Sequence, residues 1–332
     1  MPPLKLTLAC WDYDRAKALQ DGRVQIEGVD LNFVNLRVEE TFFRQLRYQE
    51  FDIAELSLSS YTLTLNQENP PFIALPIFPS RFFRHQSIYV SKRANIKKPS
   101  DLRGKRAGCP EWQMTAPVWQ RGIMEEHYDL PQSSMQWFTG AVEPSATERK
   151  EKIKLDLPSN LNVTPIGPGK CLSQMLADGD IDVLFSATQP SSFNTSDNVG
   201  HLFEDFKEVE KEYLKKTGIF PIMHVIVIKR SIHEQHPWLA RSVTKAFASS
   251  LEYAYDAISE RAALRYMLPW LQDHVEETRK AFGTDRYWED GLEKNRHVIQ
   301  KFLEYSYGQG LAKKLWKPEE IFAASATESY VI

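Results

Sequence analysis

The stretch Phe78–Val90, FPSRFFRHQSIYV, sets Arg81, Arg84 and His85 among Phe78, Phe82 and Phe83. Cations crowded against aromatic surface lose hydration and are costly unless something anionic meets them. Guanidinium groups suit a carboxylate, which they bind through two parallel hydrogen bonds. Pro79 and Ser80 close an apolar run, and alternation from Ser87 to Ser91 opens a strand. The basic residues thus sit where one structural unit hands over to the next, a place small-ligand sites favour. A solvated loop with its aromatics turned inward is the plain structural alternative.

A second stretch, Gly218–Lys229 (GIFPIMHVIVIK), follows the same plan: a turn, then Phe220 and His224, then a β-branched run. His85 and His224 would then face one cleft from paired hinge strands. A histidine merely hydrogen-bonded in a hinge is the alternative for each. Gln113 and Thr115 stand at an expected helix start, where backbone N–H groups meet an anion, although Thr115 also reads as an ordinary N-cap.

The elements that must position these residues follow from periodicity. Leu4–Ala9, Leu31–Leu36 and Phe51–Leu58 read as strands, and Asp12–Leu19 and Glu39–Tyr48 as the intervening loop-helix and helix. This β-α-β-α-β rhythm implies a mostly parallel sheet, with ligands at the carboxyl ends of its strands, where Asp12, Ser57 and Arg81 fall. Further strands are expected at Lys105–Gly108 and Ile181–Ser186, and helices at Met114–Glu126 and Cys171–Leu176. From Ser231 the chain reads as helical: Leu239, Val243, Phe247 and Leu251 form an i, i+4 stripe, and similar segments lie around Leu264–Ala281 and Leu292–Tyr307. The charged stretch Glu143–Pro168 shows no period.

A chain of 332 residues exceeds what one core usually organises, which favours two α/β lobes. Residues 1–88 read as the first part of lobe 1, 89–222 as lobe 2, and 223–332 as the return to lobe 1 plus C-terminal helices. The formal net charge of −3 gives no global attraction for nucleic acid or an anionic membrane, so any anion site is local. Three cysteines without metal-ligand spacing fit a reducing compartment. The N-terminus has neither a secretory h-region nor a spanning segment, so the expectation is a cytoplasmic protein.

The segments LACWDYDRAKAL from Leu8, AELSLSSY from Ala54, FPSRFFRHQSIYV from Phe78, PEWQMTAPVWQRGI from Pro110 and TGIFPIMHVIVI from Thr217, in that order, resemble the 4,5-dihydroxyphthalate decarboxylase family. The C-terminal LEKNRHVIQKFLEYSYGQGL is similar to the same family's pattern. The resemblance implies a type II periplasmic-binding-protein-like fold with two hinge crossings and a helical C-terminal region. It also implies loss of CO2 from a hydroxylated aromatic acid. The chain departs from the family pattern at SATQP (Ser186–Pro190), where an Arg is usual near Thr188. That departure bears on the dicarboxylate substrate more than on the reaction type.

The implied reaction assigns roles. A carboxylate ortho or para to a phenol leaves once its ring carbon is protonated, so a donor and a fixed pose are required. His85 or His224 would donate, Glu111 or Asp12 would accept a phenolic proton, and Arg81 and Arg84 would hold a retained carboxylate. Ser57, Ser59 and Ser60 would bond ring hydroxyls, and Gln113 and Thr115 an anion. The leaving carboxylate would lie against aromatic surface such as Phe82, Phe83, Trp112 or Phe220. Arg84 could instead pair with Glu55 or Asp52 structurally.

No organic cofactor is expected, since no Walker, dinucleotide or nucleophile-elbow motif is present, and HEQH at His233–His236 lacks zinc spacing. The sequence leaves open a divalent ion bridging ring hydroxyls, and a homodimer. Two rivals share the fold: an intracellular solute-binding or sensing protein for an aromatic anion, and a pyrimidine-precursor synthase, whose cysteine-rich motif is missing here.

Overall fold

A computed structural model of the chain describes residues 2–145, 149, 152–159 and 161–327. Two compact units divide it: Met1–Arg81 with Ile222–Gln300 and Trp316–Ile332, and Phe82–Pro221 with Lys301–Leu315.

The first unit opens with β1 (Leu4–Cys10), β2 (Val29–Asn35), β3 (Ile53–Ser57) and β4 (Phe72–Leu75). The second unit contributes β5 (Ile88–Ser91), β6 (Arg106–Cys109), β7 (Gln136–Thr139), β8 (Val163–Pro165), β9 (Val183–Phe185) and β10 (Val199–His201). The chain then re-enters the first unit as β11 (His224–Lys229).

In the first unit the strand order is β2-β1-β3-β11-β4. β1 runs parallel to β2 and β3, and the returning β11 is inserted antiparallel to β3 and β4. All five residues of β3 are buried, as expected for a central strand covered on both faces. One cover is the helix Leu239–Ser259, whose expected stripe Leu239, Val243, Phe247 and Leu251 is buried, with all but Leu251 in a core shared with Leu6, Leu8, Ile53, Ile73 and Ile226. Removing an i, i+4 stripe of this kind from water stabilises the unit by about 1.5–3 kcal/mol per large side chain.

In the second unit the order is β10-β5-β9-β6-β7-β8, with β5 antiparallel to both neighbours and the other pairs parallel. Leu172, Leu176, Ile181 and Leu184 form part of its core. The helix Thr115–Tyr128 buries Trp119 beside Phe302, which lies on the helix Leu292–Gly308.

Several elements differ from the sequence reading. The third strand stops at Ser57, whose side chain accepts from the Ser60 N–H and caps a helix at Leu58–Thr64, so Ser59 and Ser60 are helical. The helix expected from Leu264 starts at Leu271. Pro269 lies just before it and disfavours helical backbone at the preceding residue. The aperiodic stretch Glu143–Pro168 holds β8; its residues 146–148, 150–151 and 160 lie outside the described residues. Among the described residues no helix is long and apolar enough to cross a membrane, and no group of three or more His, Cys, Asp or Glu side chains is placed to hold a metal ion.

Candidate active site

Glu55 is a carboxylate at the centre of β3, fully buried in the first unit. A lone charge there would be very costly, and four donors answer it. Oε1 accepts from His224 Nδ1 at 2.6 Å and from the Tyr13 hydroxyl at 2.7 Å. Oε2 accepts from the Trp11 N–H at 3.0 Å and faces Cys10 Sγ at 3.7 Å. Burial alone would raise this carboxyl, but the hydrogen bond and charge of His224, with Tyr13 and Trp11, hold it below the ordinary range.

Strand pairing explains the meeting. β11 places His224 opposite Ser57, two residues along β3 from Glu55 and so on the same face. Tyr13 arrives just past the end of β1, the parallel neighbour of β3. Burial first, and then the Glu55 charge, raise both the Tyr13 phenol and the Cys10 thiol. Both therefore stay protonated as donors, and Glu55 is the anion. With a carboxylate at Nδ1, that nitrogen carries the proton, and Nε2 becomes the one that exchanges. Among the described residues Nε2 makes no hydrogen bond, and the ring is partly exposed with Phe42 edge-on at 4.8 Å.

The stretch Phe78–Arg81 acts chiefly through its backbone. The Phe78 carbonyl accepts from Trp288 Nε1 at 3.0 Å, that of Pro79 from Arg15 Nε at 2.5 Å, and that of Ser80 from the Met223 and His224 N–H groups. Three successive carbonyls thus hold an aromatic ring, a cation and the strand start that carries the histidine. Arg81 is buried and donates from Nη2 to the Glu289 carbonyl at 2.7 Å and Asn295 Oδ1 at 2.6 Å.

The other expected site residues of the first unit take different positions. Asp12 forms an exposed ion pair with Lys17 at 3.0 Å. Ser59 and Ser60 are buried in the helix that Ser57 caps. Asp52, weighed as a partner for Arg84, accepts instead from the Thr7 N–H and Lys229, while Glu55 is occupied as described.

The second unit gathers the others into separate groups. Arg84 is buried, stacks on Phe82 at 4.6 Å and donates to the Ala187 carbonyl at 3.2 Å. A guanidinium therefore lies beside the SATQP turn, where the sequence lacks one. Glu111 is buried between Arg149 (2.5 Å) and Lys152 (2.6 Å) and accepts from Gln113 Nε2 at 3.0 Å. Thr115 is the first residue of its helix, and Phe220 stacks on Phe83 at 4.7 Å.

His85 sits in a cage of Phe203, Tyr213 and Tyr128, and neither ring nitrogen has a hydrogen-bond partner among the described residues. Burial, with a smaller contribution from His127, pushes it down to about 4. In the unfolded chain it would titrate near its ordinary value, so protonation favours unfolding. This site is expected to lose about 3 kcal/mol of stability as pH falls from about 6.5 to 4. Denaturant melts of His85→Leu across that window are expected to have a correspondingly shallower pH dependence than wild type.

No protein-family model matches the chain. Over 333 aligned residues, covering the whole of both proteins, it is 40% identical to the 4,5-dihydroxyphthalate decarboxylase of Comamonas testosteroni. The chain belongs to the 4,5-dihydroxyphthalate decarboxylase family. The Pseudomonas putida protein of that name is 43% identical over 206 residues, covering 62% of this chain and 79% of that protein. Among solved structures, the periplasmic aliphatic sulphonate binding protein SsuA of Escherichia coli matches 98% of this chain and 99% of its own at 11% identity, TM-score 0.55. A protein from Archaeoglobus fulgidus matches 92% and 98% at 13% identity, TM-score 0.51. The fold is that of the periplasmic binding proteins, as the resemblance implied.

Three of the segments that resembled the 4,5-dihydroxyphthalate decarboxylase family converge on Glu55. LACWDYDRAKAL brings Cys10, Trp11 and Tyr13, AELSLSSY brings Glu55 itself, and TGIFPIMHVIVI brings His224. Sequence reasoning selected only His224 from this group. One signal was available: a glutamate inside the apolar run FDIAELSL must be buried with partners.

Proposed function

We propose that this chain is a non-oxidative carboxy-lyase that removes one carboxylate from a 4,5-dihydroxyphthalate-like aromatic acid, with His224 as the proton donor. The observation that carries the reading is the 2.6 Å bond between buried Glu55 and His224 Nδ1, which orients the ring and leaves Nε2 to the substrate. The family name of the full-length relative points to the same substrate class.

The chemistry balances with a single proton. In 4,5-dihydroxyphthalate each carboxylate is para to a phenolic hydroxyl. A proton from Nε2 adds to the carbon bearing the leaving carboxylate, using a ring electron pair, while the para oxygen takes up the developing positive charge. The carbon–carbon bond then breaks, its electron pair restores the aromatic ring, and CO2 departs. The net change is one proton in and one CO2 out, with His224 reprotonated from solvent through its exposed edge. Glu55, held ionised by its donors, faces the imidazole throughout and needs no rearrangement. A cytoplasmic location fits three cysteines with no disulfide-like pattern.

The test is CO2 release from a panel of dihydroxylated mono- and dicarboxylic aromatic acids by the purified, metal-stripped protein. Release from 4,5-dihydroxyphthalate is the expected result. Release that appears only when a divalent ion is restored assigns the ring hydroxyls to a metal. Saturable binding of a panel member without CO2 under either condition would instead make the chain a binding or sensing protein.

A further inference from the structure

We propose that Arg15 is the anchor for the carboxylate that the substrate keeps, and so sets the preference for a dicarboxylic acid; the inference rests on the decarboxylase reading above. Arg15 lies in the turn Asp14–Ala16, directly after Tyr13. Its guanidinium lies over two rings, 4.4 Å from the Tyr13 centroid and 4.0 Å from that of Trp288. Nε donates to the Pro79 carbonyl at 2.5 Å and Nη1 to Asp14 Oδ1 at 2.8 Å. Trp288 is itself fixed, donating from Nε1 to the Phe78 carbonyl and from its N–H to the Tyr255 hydroxyl at 2.7 Å.

Two ring contacts and two hydrogen bonds leave the guanidinium little freedom, so little entropy is lost when an anion docks on it. Nη2 bonds no acceptor among the described residues, and the side chain is 15% exposed. The group is therefore shielded enough to bind strongly yet open to a ligand. A carboxylate matches the Nη1–Nη2 edge through two parallel bonds. Asp14, 37% exposed, takes Nη1 alone and leaves the hydrogens of Nη2 to a ligand carboxylate.

Tyr13 joins this cation to the proton donor. Its ring stacks on Arg15, and its hydroxyl bonds Glu55 and lies 3.3 Å from His224 Nδ1. Anchor and acid thus contact the same tyrosine, one at its ring and one at its hydroxyl. Arg81 and Arg84, the basic residues singled out by sequence, are instead buried and donate to carbonyl groups of the chain.

The product of losing one carboxylate, 3,4-dihydroxybenzoate, keeps the anchored group, whereas catechol lacks it. Calorimetry compares the binding of both to wild type, Arg15→Gln and Arg15→Lys, and steady-state kinetics with 4,5-dihydroxyphthalate accompany it. Arg15→Gln is expected to weaken 3,4-dihydroxybenzoate roughly 10- to 100-fold and to raise KM comparably. Catechol binding and kcat should change by less than about threefold, with Arg15→Lys intermediate because it keeps the charge and loses the paired geometry. An unchanged ratio of acid to catechol affinity in both variants, whether through retained binding or through parallel loss of both ligands, overturns the inference while leaving the decarboxylase reading intact if wild type releases CO2. Wild type that neither releases CO2 nor binds the acid overturns both.

Discussion

Replacing His224 by Gln is expected to lower kcat about 100- to 10,000-fold, with KM changed by no more than a few-fold. Glutamine can still donate an amide hydrogen to Glu55, so the buried carboxylate stays satisfied and the fold persists. What is lost is the group that carries a proton to the ring carbon. Steady-state CO2 release with a thermal melt of the same preparation separates the two effects. Near-normal turnover in a folded His224→Gln protein would remove His224 as the acid. His85 is a poor replacement, because its aromatic cage keeps it neutral near pH 7.

Replacing Glu55 by Ala is expected to destabilise the first unit by about 3–5 kcal/mol, the usual cost of breaking a buried ionic network from one side. The Trp11 N–H, the Tyr13 hydroxyl and His224 Nδ1 would all lose their acceptor at once. Glu55→Gln separates catalysis from stability. Its carbonyl oxygen can still take the Trp11 N–H, but an amide facing His224 would donate to Nδ1 and impose the opposite tautomer. Turnover should then fall at least about 100-fold with a smaller loss of stability.

The Glu55 network also predicts an acid limb. Its folded value lies below the ordinary carboxyl range, so its contribution is present above that range and is lost as pH falls through the depressed value. Wild type should therefore lose stability in acid more steeply than Glu55→Gln, and denaturant midpoints measured from neutral pH downward test it.

Much of the architecture was legible from periodicity. The three strands that open the chain lie where alternation or an apolar run places them, with ends shifted by one or two residues, and the stripe Leu239, Val243, Phe247 and Leu251 matches its buried face. The site was less legible because it is made by register between distant strands. Tyr13 and His224 meet although 211 positions separate them, and no spacing in the sequence encodes that β11 slots between β3 and β4.

The stretch FPSRFFRHQSIYV drew attention through its side chains, yet in the first unit its carbonyls do much of the positioning. Backbone roles of this kind leave no mark on residue type. Arg15 was hidden for the opposite reason. In WDYDRAKAL it looks like one charge among several, and only the stacking of Tyr13 and Trp288 distinguishes it. Besides His224, Glu55 carried a readable signal, an acid where strand geometry demands burial.

A decarboxylation driven by protonation of the ring is tested directly by turnover of 4,5-dihydroxyphthalate in D2O, with the product followed by NMR and CO2 and O2 quantified. The product is expected to carry one deuterium at the carbon that lost its carboxylate, with one CO2 released per product and no O2 consumed. Binding of the acid with no CO2, or CO2 released with consumption of O2 and an added hydroxyl, would contradict it.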